Sequence, residues 1–267
     1  MTQTAAAPSR IGTLLRDWRL RRRLSQLDLS LEAGVSARHL SFVETGRSRP
    51  SADMVLLLAE RLEVPLRDRN QLLLAAGFAP VYGQHDLDAP EMGPVREALE
   101  LVLRGHDPYP AVVVDRHWGM VAGNEAIALL TAGVAPALLE PPVNVLRLSL
   151  HPDGMAPRIA NLPQWRAHLL DRLGRQAVST GDPAVAALYA ELSALPCDGP
   201  PAEPHDPVAG EIAVPLRLRV GDTQLSFIST VTTFGTATDI TVSELSIESF
   251  FPADPATVDA VRAFAAA

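Results

Sequence analysis

The chain has 267 residues, 47% of them apolar, which is enough for one large domain or two ordinary domains with packed cores. No apolar run approaches the roughly 20 residues of a membrane span, and residues 1–8 are too short and polar for a signal peptide, so we expect a soluble cytoplasmic protein. The single cysteine, Cys197, excludes an internal disulfide and a Cys-x-x-Cys zinc site.

Charge is distributed unevenly along the chain. The net charge of −8 argues against a nucleic-acid partner, but residues 1–80 carry 12 arginines against 8 acidic residues, whereas residues 81–267 carry 11 against 23. Positive charge collected in one segment is typical of a DNA-binding domain joined to an acidic partner domain. Every basic residue is an arginine, which we attribute to the codon usage of a GC-rich genome rather than to function.

Apolar residues at helical spacing predict five short helices in the first part of the chain. The predicted helices span about residues 11–24, 26–33, 37–45, 52–62 and 66–76. Ser25 and Ser36 precede the second and third helices, where a hydroxyl can accept a hydrogen bond from a free backbone N–H group. Gly34 and Gly46 follow the same two helices, and glycine tolerates the left-handed turn that ends a helix. The pattern predicts an all-α domain over residues 10–78, preceded by a disordered segment, residues 1–9.

This segment resembles the Xre family of helix-turn-helix regulators. The matching residues are Leu24-Ser25-Gln26, Leu29, Ala33-Gly34-Val35-Ser36, Leu40, Val43-Glu44, Gly46, Pro50-Ser51 and Leu62. Ser30 stands where the family usually has alanine, a mild departure that a helix crossing can accommodate. The resemblance implies a five-helix domain like those of phage repressors, with the helix after the turn in the major groove of duplex DNA.

The exposed side chains of that third helix are the expected readers of DNA sequence. Arg38 is the strongest candidate, because a guanidinium donates two hydrogen bonds to guanine, and Ala37 and Ser41 would add smaller contacts. Phe42 stands where many relatives have a polar residue, and it either touches a thymine methyl group or packs against the domain.

Other residues are expected to hold the DNA backbone. Gln26 is placed at the start of the second helix as a phosphate or base ligand, and Arg47 and Arg49 would bind phosphates after the third helix. Two alternatives remain open: a helical bundle with a solvated arginine face, and a helix-turn-helix used for protein contacts. Each of the three arginines at residues 21–23 is more readily interpreted as solvated.

Residues 79–94 are rich in proline, glycine and acidic residues, which is typical of a linker. His85 lies there among carboxylates and suggests a metal site. A flexible segment would lose conformational entropy in forming such a site, so we expect no metal or cofactor.

Helices and strands are mixed in the rest of the chain, residues 95–267. The predicted elements are a helix at 95–104, a hairpin of strands at 111–114 and 119–122, a helix from 125, a helix at about 157–176, and strands at 212–220, 225–234 and 240–250. Asn124 is expected to cap the helix that follows it. A Pro-rich loop, about 196–207, precedes the last three strands, the first of which alternates apolar and polar residues from Ile212 to Val220. The order predicts an α+β domain with an antiparallel sheet.

That order matches a PAS-like sensor domain, and the sequence resembles the MmyB-like ligand-binding domain often joined to Xre-type modules. The resemblance rests on Arg38-His39-Leu40-Ser41-Phe42, Pro65-Leu66-Arg67-Asp68-Arg69-Asn70, Ala75-Ala76-Gly77-Phe78-Ala79-Pro80, Val114-Asp115-Arg116-His117-Trp118, Asn124 and Asn144-Val145-Leu146-Arg147. It implies a homodimeric regulator whose second domain encloses a small apolar ligand, with a fatty acid bound in at least one relative.

Apolar side chains on facing elements are the candidate walls of a ligand pocket, although such side chains also fill ordinary cores. The candidates are Trp118, Leu129, Leu146, Trp165, Leu169, Phe227 and Val231. Arg147 either clamps a carboxylate head group or forms a structural ion pair. Asn124 is expected to cap its helix rather than bind ligand. His151, Asp153 and His168 match no catalytic spacing.

We therefore expect a sequence-specific, ligand-responsive regulator that binds a palindromic operator as a dimer. A second hypothesis makes residues 95–267 an enzyme, but the sequence contains no phosphate-binding glycine loop, no Gly-x-Ser-x-Gly turn and no metal-ligand spacing. A third hypothesis makes that domain a dimerisation platform with a solid core.

Overall fold

The computed structural model describes residues 9–197 and 213–266. The described residues divide into two compact units. The first unit comprises residues 9–86 together with Thr236–Ser243, and the second unit comprises the described residues of 87–235 and 244–266. Some of the sequence predictions lie outside the described residues. They concern residues 1–8 of the predicted disordered segment, most of the Pro-rich loop, and Ile212.

The first unit contains the five predicted helices. They are α1 (Arg10–Arg21), α2 (Gln26–Ala33), α3 (Ala37–Glu44), α4 (Ala52–Arg61) and α5 (Leu66–Ala76). Ser25 and Asp28 cap the start of α2 reciprocally: the Ser25 hydroxyl accepts from the Asp28 N–H at 3.1 Å, and the Asp28 carboxylate accepts from the Ser25 N–H at 2.9 Å. Gly34 ends α2 with φ at 66°, and Ser36 caps α3 by accepting from the His39 N–H. The predicted all-α domain is confirmed.

The helices of the first unit share one apolar core. Each helix contributes to it, and the almost completely buried residues include Leu15 of α1, Leu29 of α2, Leu40 of α3, Leu58 of α4 and Leu73 of α5. The periodicity that predicted the helices therefore also identifies most of the core, because the apolar stripe of each helix is the face that packs.

The second unit mixes helices with one sheet. Its elements and the intervening α11 are α6 (Gly93–Gly105), β1 (Ala111–Val114), β2 (Met120–Gly123), α7 (Ile127–Thr131), α8 (Val145–Leu150), α9 (Leu162–Thr180), α10 (Pro183–Ala194), β3 (Leu216–Val220), β4 (Thr223–Thr233), α11 (Ile240–Ser243), β5 (Ser246–Pro252) and α12 (Pro255–Ala265). α11 belongs to the first unit. The predicted α+β class is confirmed.

The sheet has the order β2-β1-β5-β4-β3, with every neighbouring pair antiparallel. Glu248 on β5 pairs with Val112 on β1 and with Val231 on β4, so these three side chains lie on one face. Apolar residues of that face pack with α8, α9 and α10 in the main core of the second unit. Val113 and Ile247 lie on the opposite face, which packs against α6.

Three predictions about local structure are wrong. Asn124 does not cap a helix; its side chain accepts from the Ala111 N–H at 3.0 Å and donates to the Tyr109 carbonyl at 2.8 Å, so it fixes the start of β1. Residues 240–243 form a helix rather than the beginning of the last strand. The strand predicted from 212 begins only at Leu216 within the described residues.

The predicted linker, residues 79–94, forms hydrogen bonds with α5 near its start and continues into α6 at its end. The Asn70 side chain accepts from the N–H groups of Val81 and Tyr82 and donates to the Tyr82 carbonyl. Further along, Pro90–Met92 form one turn of 3-10 helix that leads into α6. The division between the two units lies between residues 86 and 87.

Candidate DNA-binding surface and ligand cavity

α3 separates its apolar and polar side chains onto two faces. Leu40 and Val43 are buried at 1% and 0% exposure, and they fix the helix to the core of the first unit. Arg38 is exposed, while Ala37 and Ser41 are half-buried. The residues predicted to read DNA therefore lie on the side of α3 that faces away from the core, where a groove of duplex DNA has access to them.

Phe42 supports two of the predicted DNA-binding arginines. The guanidinium carbon of Arg38 lies 5.3 Å from the centre of the Phe42 ring, and that of Arg47 lies 5.9 Å from the same ring. A guanidinium over an aromatic face is attracted by the electrons of the ring and loses part of its rotational freedom. Phe42 thus holds both arginines near the exposed face of α3 from a half-buried position. Its own contact with DNA stays a prediction.

A buried ion pair joins α1 to α3 below that face. The Arg19 guanidinium donates to both carboxylate oxygens of Glu44 at 2.7 and 2.9 Å, and this hydrogen bonding to Glu44 raises the pKa of Arg19. The Gln26 side-chain amide also donates to Glu44 at 2.7 Å. Gln26 is therefore held by a neighbour, and the second N–H and the oxygen of its amide serve the predicted contact with a phosphate or a base.

Arg49 contacts the end of α5. Its guanidinium donates to the Ala76 carbonyl at 2.9 Å and lies 5.9 Å from the centre of the Phe78 ring. A cation at a helix C-terminus stabilises the exposed carbonyl groups there. The residue is exposed overall, so the phosphate contact predicted for Arg49 remains a prediction.

The second unit contains an apolar cavity of about 50 Å³ between the sheet and the helices. Its lining residues are Val112, Met120, Ile127, Leu130, Thr131, Val145, Leu146, Leu148, Ser149, Met155, Trp165, Leu169, Leu216, Glu248 and Phe250. The cavity is much smaller than the roughly 150 Å³ of an engineered cavity that binds benzene. An acyl chain therefore enters only if side chains move. Met120 and Met155 are suited to such movement, because methionine is unbranched and adapts to irregular shapes.

The structure brings some of the predicted pocket residues together. Leu146, Trp165 and Leu169 line the cavity. Trp118, Leu129 and Phe227 lie in the same buried core without lining the cavity, and Val231, on the same face of β4, is 43% exposed. Contact between any of these residues and a ligand stays a prediction.

Arg147 is engaged in an ion pair. Its guanidinium donates to both carboxylate oxygens of Glu191 at 2.6 and 2.8 Å, and this hydrogen-bonded pair lowers the pKa of Glu191. Of the two roles predicted for Arg147, this arrangement agrees with the structural ion pair rather than with a clamp on a ligand carboxylate. His168 is half-buried, and burial together with the charges of Arg172 and Arg175 lowers its pKa.

Glu248 is the charged residue among the twelve described lining residues that sequence reasoning missed. It is 4% exposed on β5, and its carboxylate accepts from Arg172 at 3.4 Å. Burial raises the pKa of Glu248, and the charge of Arg172 opposes that shift. The alternation of β5 carries the signal, because Glu248 falls on the same face as Phe250. A charged residue in a strand is normally assigned to the solvent face, and for that reason the sequence did not indicate Glu248 as a cavity residue.

Comparisons with known families bear on both units. The family model for the MmyB-like transcription regulator ligand binding domain matches residues 95–264, which is more than half of the chain, and a helix-turn-helix model matches residues 15–68. Both predicted resemblances are confirmed. No curated protein matches the chain. In the described parts of the chain, no helix has both the length and the apolar character that crossing a membrane requires.

Proposed function

The chain belongs to the family of transcription regulators with an MmyB-like ligand-binding domain, and on this premise we propose that it binds a specific operator through α3 and responds to a small apolar molecule. One observation supports the DNA-binding half above all others. α3 is fixed from below by Leu40, Val43 and the ion pair between Arg19 and Glu44, while Arg38 is exposed. A rigid helix that presents an arginine is the arrangement that reads guanine in the major groove.

DNA binding is tested with the full chain and two fluorescent duplexes, one from its own promoter region and one scrambled. We expect salt-sensitive binding with a preference for the promoter. Arg38→Ala should reduce that preference by about 1–3 kcal/mol, because a bidentate base contact is lost. Arg104→Ala is the matched control, since it removes an exposed arginine from α6 in the second unit and should leave the preference unchanged. Equal binding of both duplexes by the wild-type protein would contradict sequence-specific recognition.

The proposed active form is a cytoplasmic homodimer on a palindromic operator with half-sites one helical turn apart. The sheet order and the helices that cover one face support the PAS-like interpretation of the second unit. Light scattering of the purified protein measures the dimer directly. A monomer that still binds a palindrome with one-to-one stoichiometry would contradict the dimeric part of the proposal.

The ligand-binding half is supported by the cavity, whose lining is apolar except for a few hydrogen-bonding groups. A fatty acid, as in the relative to which the resemblance pointed, is one molecule of this kind. The small volume of the cavity favours the alternative, a dimerisation platform without ligand. Mass spectrometry under non-denaturing conditions distinguishes the two, because a bound metabolite adds a discrete mass to the protein.

A further inference from the structure

If the second unit binds a ligand as proposed, the polar groups of the cavity wall determine which head group that ligand can have. Of the described residues that line the cavity, Glu248 alone carries an ionisable group. The other hydrogen-bonding groups are partly used: the Ser149 hydroxyl accepts from the Trp165 indole at 3.0 Å, and the Thr131 hydroxyl donates to the Ile127 carbonyl at 3.3 Å. Among these hydroxyls the Ser149 O–H remains as a donor, but no cationic side chain lies in the described lining to balance the charge of an anion.

Arg172, the cationic partner of Glu248, lies behind it rather than in the cavity wall. The Arg172 guanidinium carbon lies 4.3 Å from the centre of the Trp118 ring, and its side chain is 23% exposed. Arg172 is absent from the described lining. A ligand in the cavity therefore meets the carboxyl group of Glu248 before it meets the guanidinium.

The carboxyl group of Glu248 has unused acceptor capacity. Its contact with Arg172 is a single one at 3.4 Å, longer than the 2.7–2.9 Å of a typical charged hydrogen bond. Ser229, on the neighbouring strand β4, also hydrogen-bonds to this carboxyl group. Two carboxylate oxygens together accept about four hydrogen bonds, so positions remain for a donor from the ligand.

We propose that the cavity selects apolar ligands whose head group donates a hydrogen bond to Glu248, an alcohol or an ammonium group, and that it discriminates against carboxylates. A carboxylate would bring a second negative charge beside the buried Glu248, where like charges repel more strongly than they do in water. An alcohol or an ammonium group instead satisfies the free acceptor positions of Glu248. This inference rests on the proposed ligand-binding function and narrows the class of ligand, because it replaces a fatty acid with an apolar alcohol or amine.

The test compares three probes of equal chain length, n-octanol, n-octylamine and n-octanoate, by calorimetric titration of the full chain at pH 7. We expect n-octanol and n-octylamine to bind at least about tenfold more tightly than n-octanoate. A difference of this size is the expected cost of one buried polar group that is repelled or left without a hydrogen-bond partner. Binding of n-octanoate as tight as that of n-octanol would overturn the proposed selectivity. Binding of none of the three would contradict the ligand-binding function itself.

Glu248→Gln assigns the selectivity to this side chain. Glutamine keeps the shape and removes the charge, so binding of n-octanoate should improve about tenfold and binding of n-octylamine should weaken about tenfold. Glu191→Gln is the matched control, because Glu191 is also paired with an arginine but lies outside the described lining, and it should leave the ranking unchanged. An unchanged ranking in Glu248→Gln would overturn the assignment. If that variant does not fold, the ranking in the wild-type protein decides alone.

Discussion

Asp182 shows how one carboxylate serves two elements of the second unit. One of its oxygens accepts from the Ala184 N–H at 2.8 Å and caps α10, while the other accepts from the His117 imidazole at 2.9 Å and lies 3.5 Å from Arg116. Burial alone would raise the pKa of Asp182, but the hydrogen bonds from His117 and from the Ala184 backbone outweigh it and lower the pKa. The folded protein therefore holds this proton less tightly than the unfolded chain does.

Asp182→Asn keeps the capping oxygen and removes the charge. We expect the variant to lower the free energy of unfolding at pH 7 by on the order of 1 kcal/mol, because an ion pair and a charged hydrogen bond are lost. A lowered pKa stabilises the fold above the ordinary pKa of aspartate, about 4, and the contribution disappears as pH falls through the folded-state pKa. The difference from wild type should therefore shrink between pH 5 and pH 3, as measured by urea unfolding.

Glu97→Gln is the control for Asp182→Asn. It removes an exposed carboxylate from α6 and should change the free energy of unfolding little at either pH. A difference between Asp182→Asn and wild type that is as large at pH 3 as at pH 7 would show that the carboxylate charge contributes nothing.

Gly12 sets the distance between two helices of the first unit. A methyl group at this position would lie 2.5 Å from the Glu44 carbonyl oxygen and 2.6 Å from that of Val43, both at the end of α3. These contacts involve backbone atoms, which cannot turn aside as a side chain can. Glycine is therefore required where α1 crosses α3, although alanine is the better helix former by about 1 kcal/mol.

Gly12→Ala should lower the free energy of unfolding by about 1–3 kcal/mol, because the added methyl forces α1 and α3 apart. The displacement of α3 should also weaken binding to the promoter duplex. Gly105→Ala is the matched control, since a methyl there meets nothing within 4 Å, and it should leave stability and DNA binding near wild type. A stability gain in Gly12→Ala, measured by urea unfolding, would be incompatible with this close packing.

The sequence predicted a helix correctly where apolar residues recur at helical spacing and pack on a single core. The helices α1 to α5 follow from apolar spacing and from caps such as Ser25 and Ser36, because these signals are local. α11 was mistaken for a strand, since its Ile-Thr-Val composition favours strands and only its burial against the first unit decides. α10 went unrecognised because its alanines give little amphipathic pattern.

The cavity was predictable only in part, for a similar reason. Leu146, Trp165 and Leu169 were found because apolar side chains mark inward faces. Spacing along one element does not tell a filled core from a cavity, so Trp118 and Phe227 satisfied the same pattern without lining it. Sites formed by several elements need the register between strands, and that register is not a local property.

The segment that connects β4 to β5 groups with the first unit, while β5 itself contributes to the cavity wall in the second unit. This connection, Thr236–Ser243, groups with the first unit, where Ile240 N–H donates to the Gly83 carbonyl at 2.9 Å and the Thr241 hydroxyl donates to the His85 carbonyl at 2.6 Å. The Asp239 carboxylate also forms a hydrogen bond with the His85 imidazole, at 2.8 Å. Two residues after Ser246 the same chain reaches Glu248 in the cavity wall.

A ligand that displaces β5 should therefore move a segment anchored in the DNA-binding unit. Thr241→Val removes the hydrogen bond to His85 with little change of shape, and Thr238→Val makes the same substitution at an exposed position of the same segment. We expect n-octanol to change the promoter affinity of the wild-type protein and of Thr238→Val by the same factor. In Thr241→Val that factor should move toward one, while calorimetry shows unchanged binding of n-octanol, because one of the three hydrogen bonds that hold this segment in the first unit is lost. An undiminished response in Thr241→Val, or none in the wild type, would exclude this connection as the route.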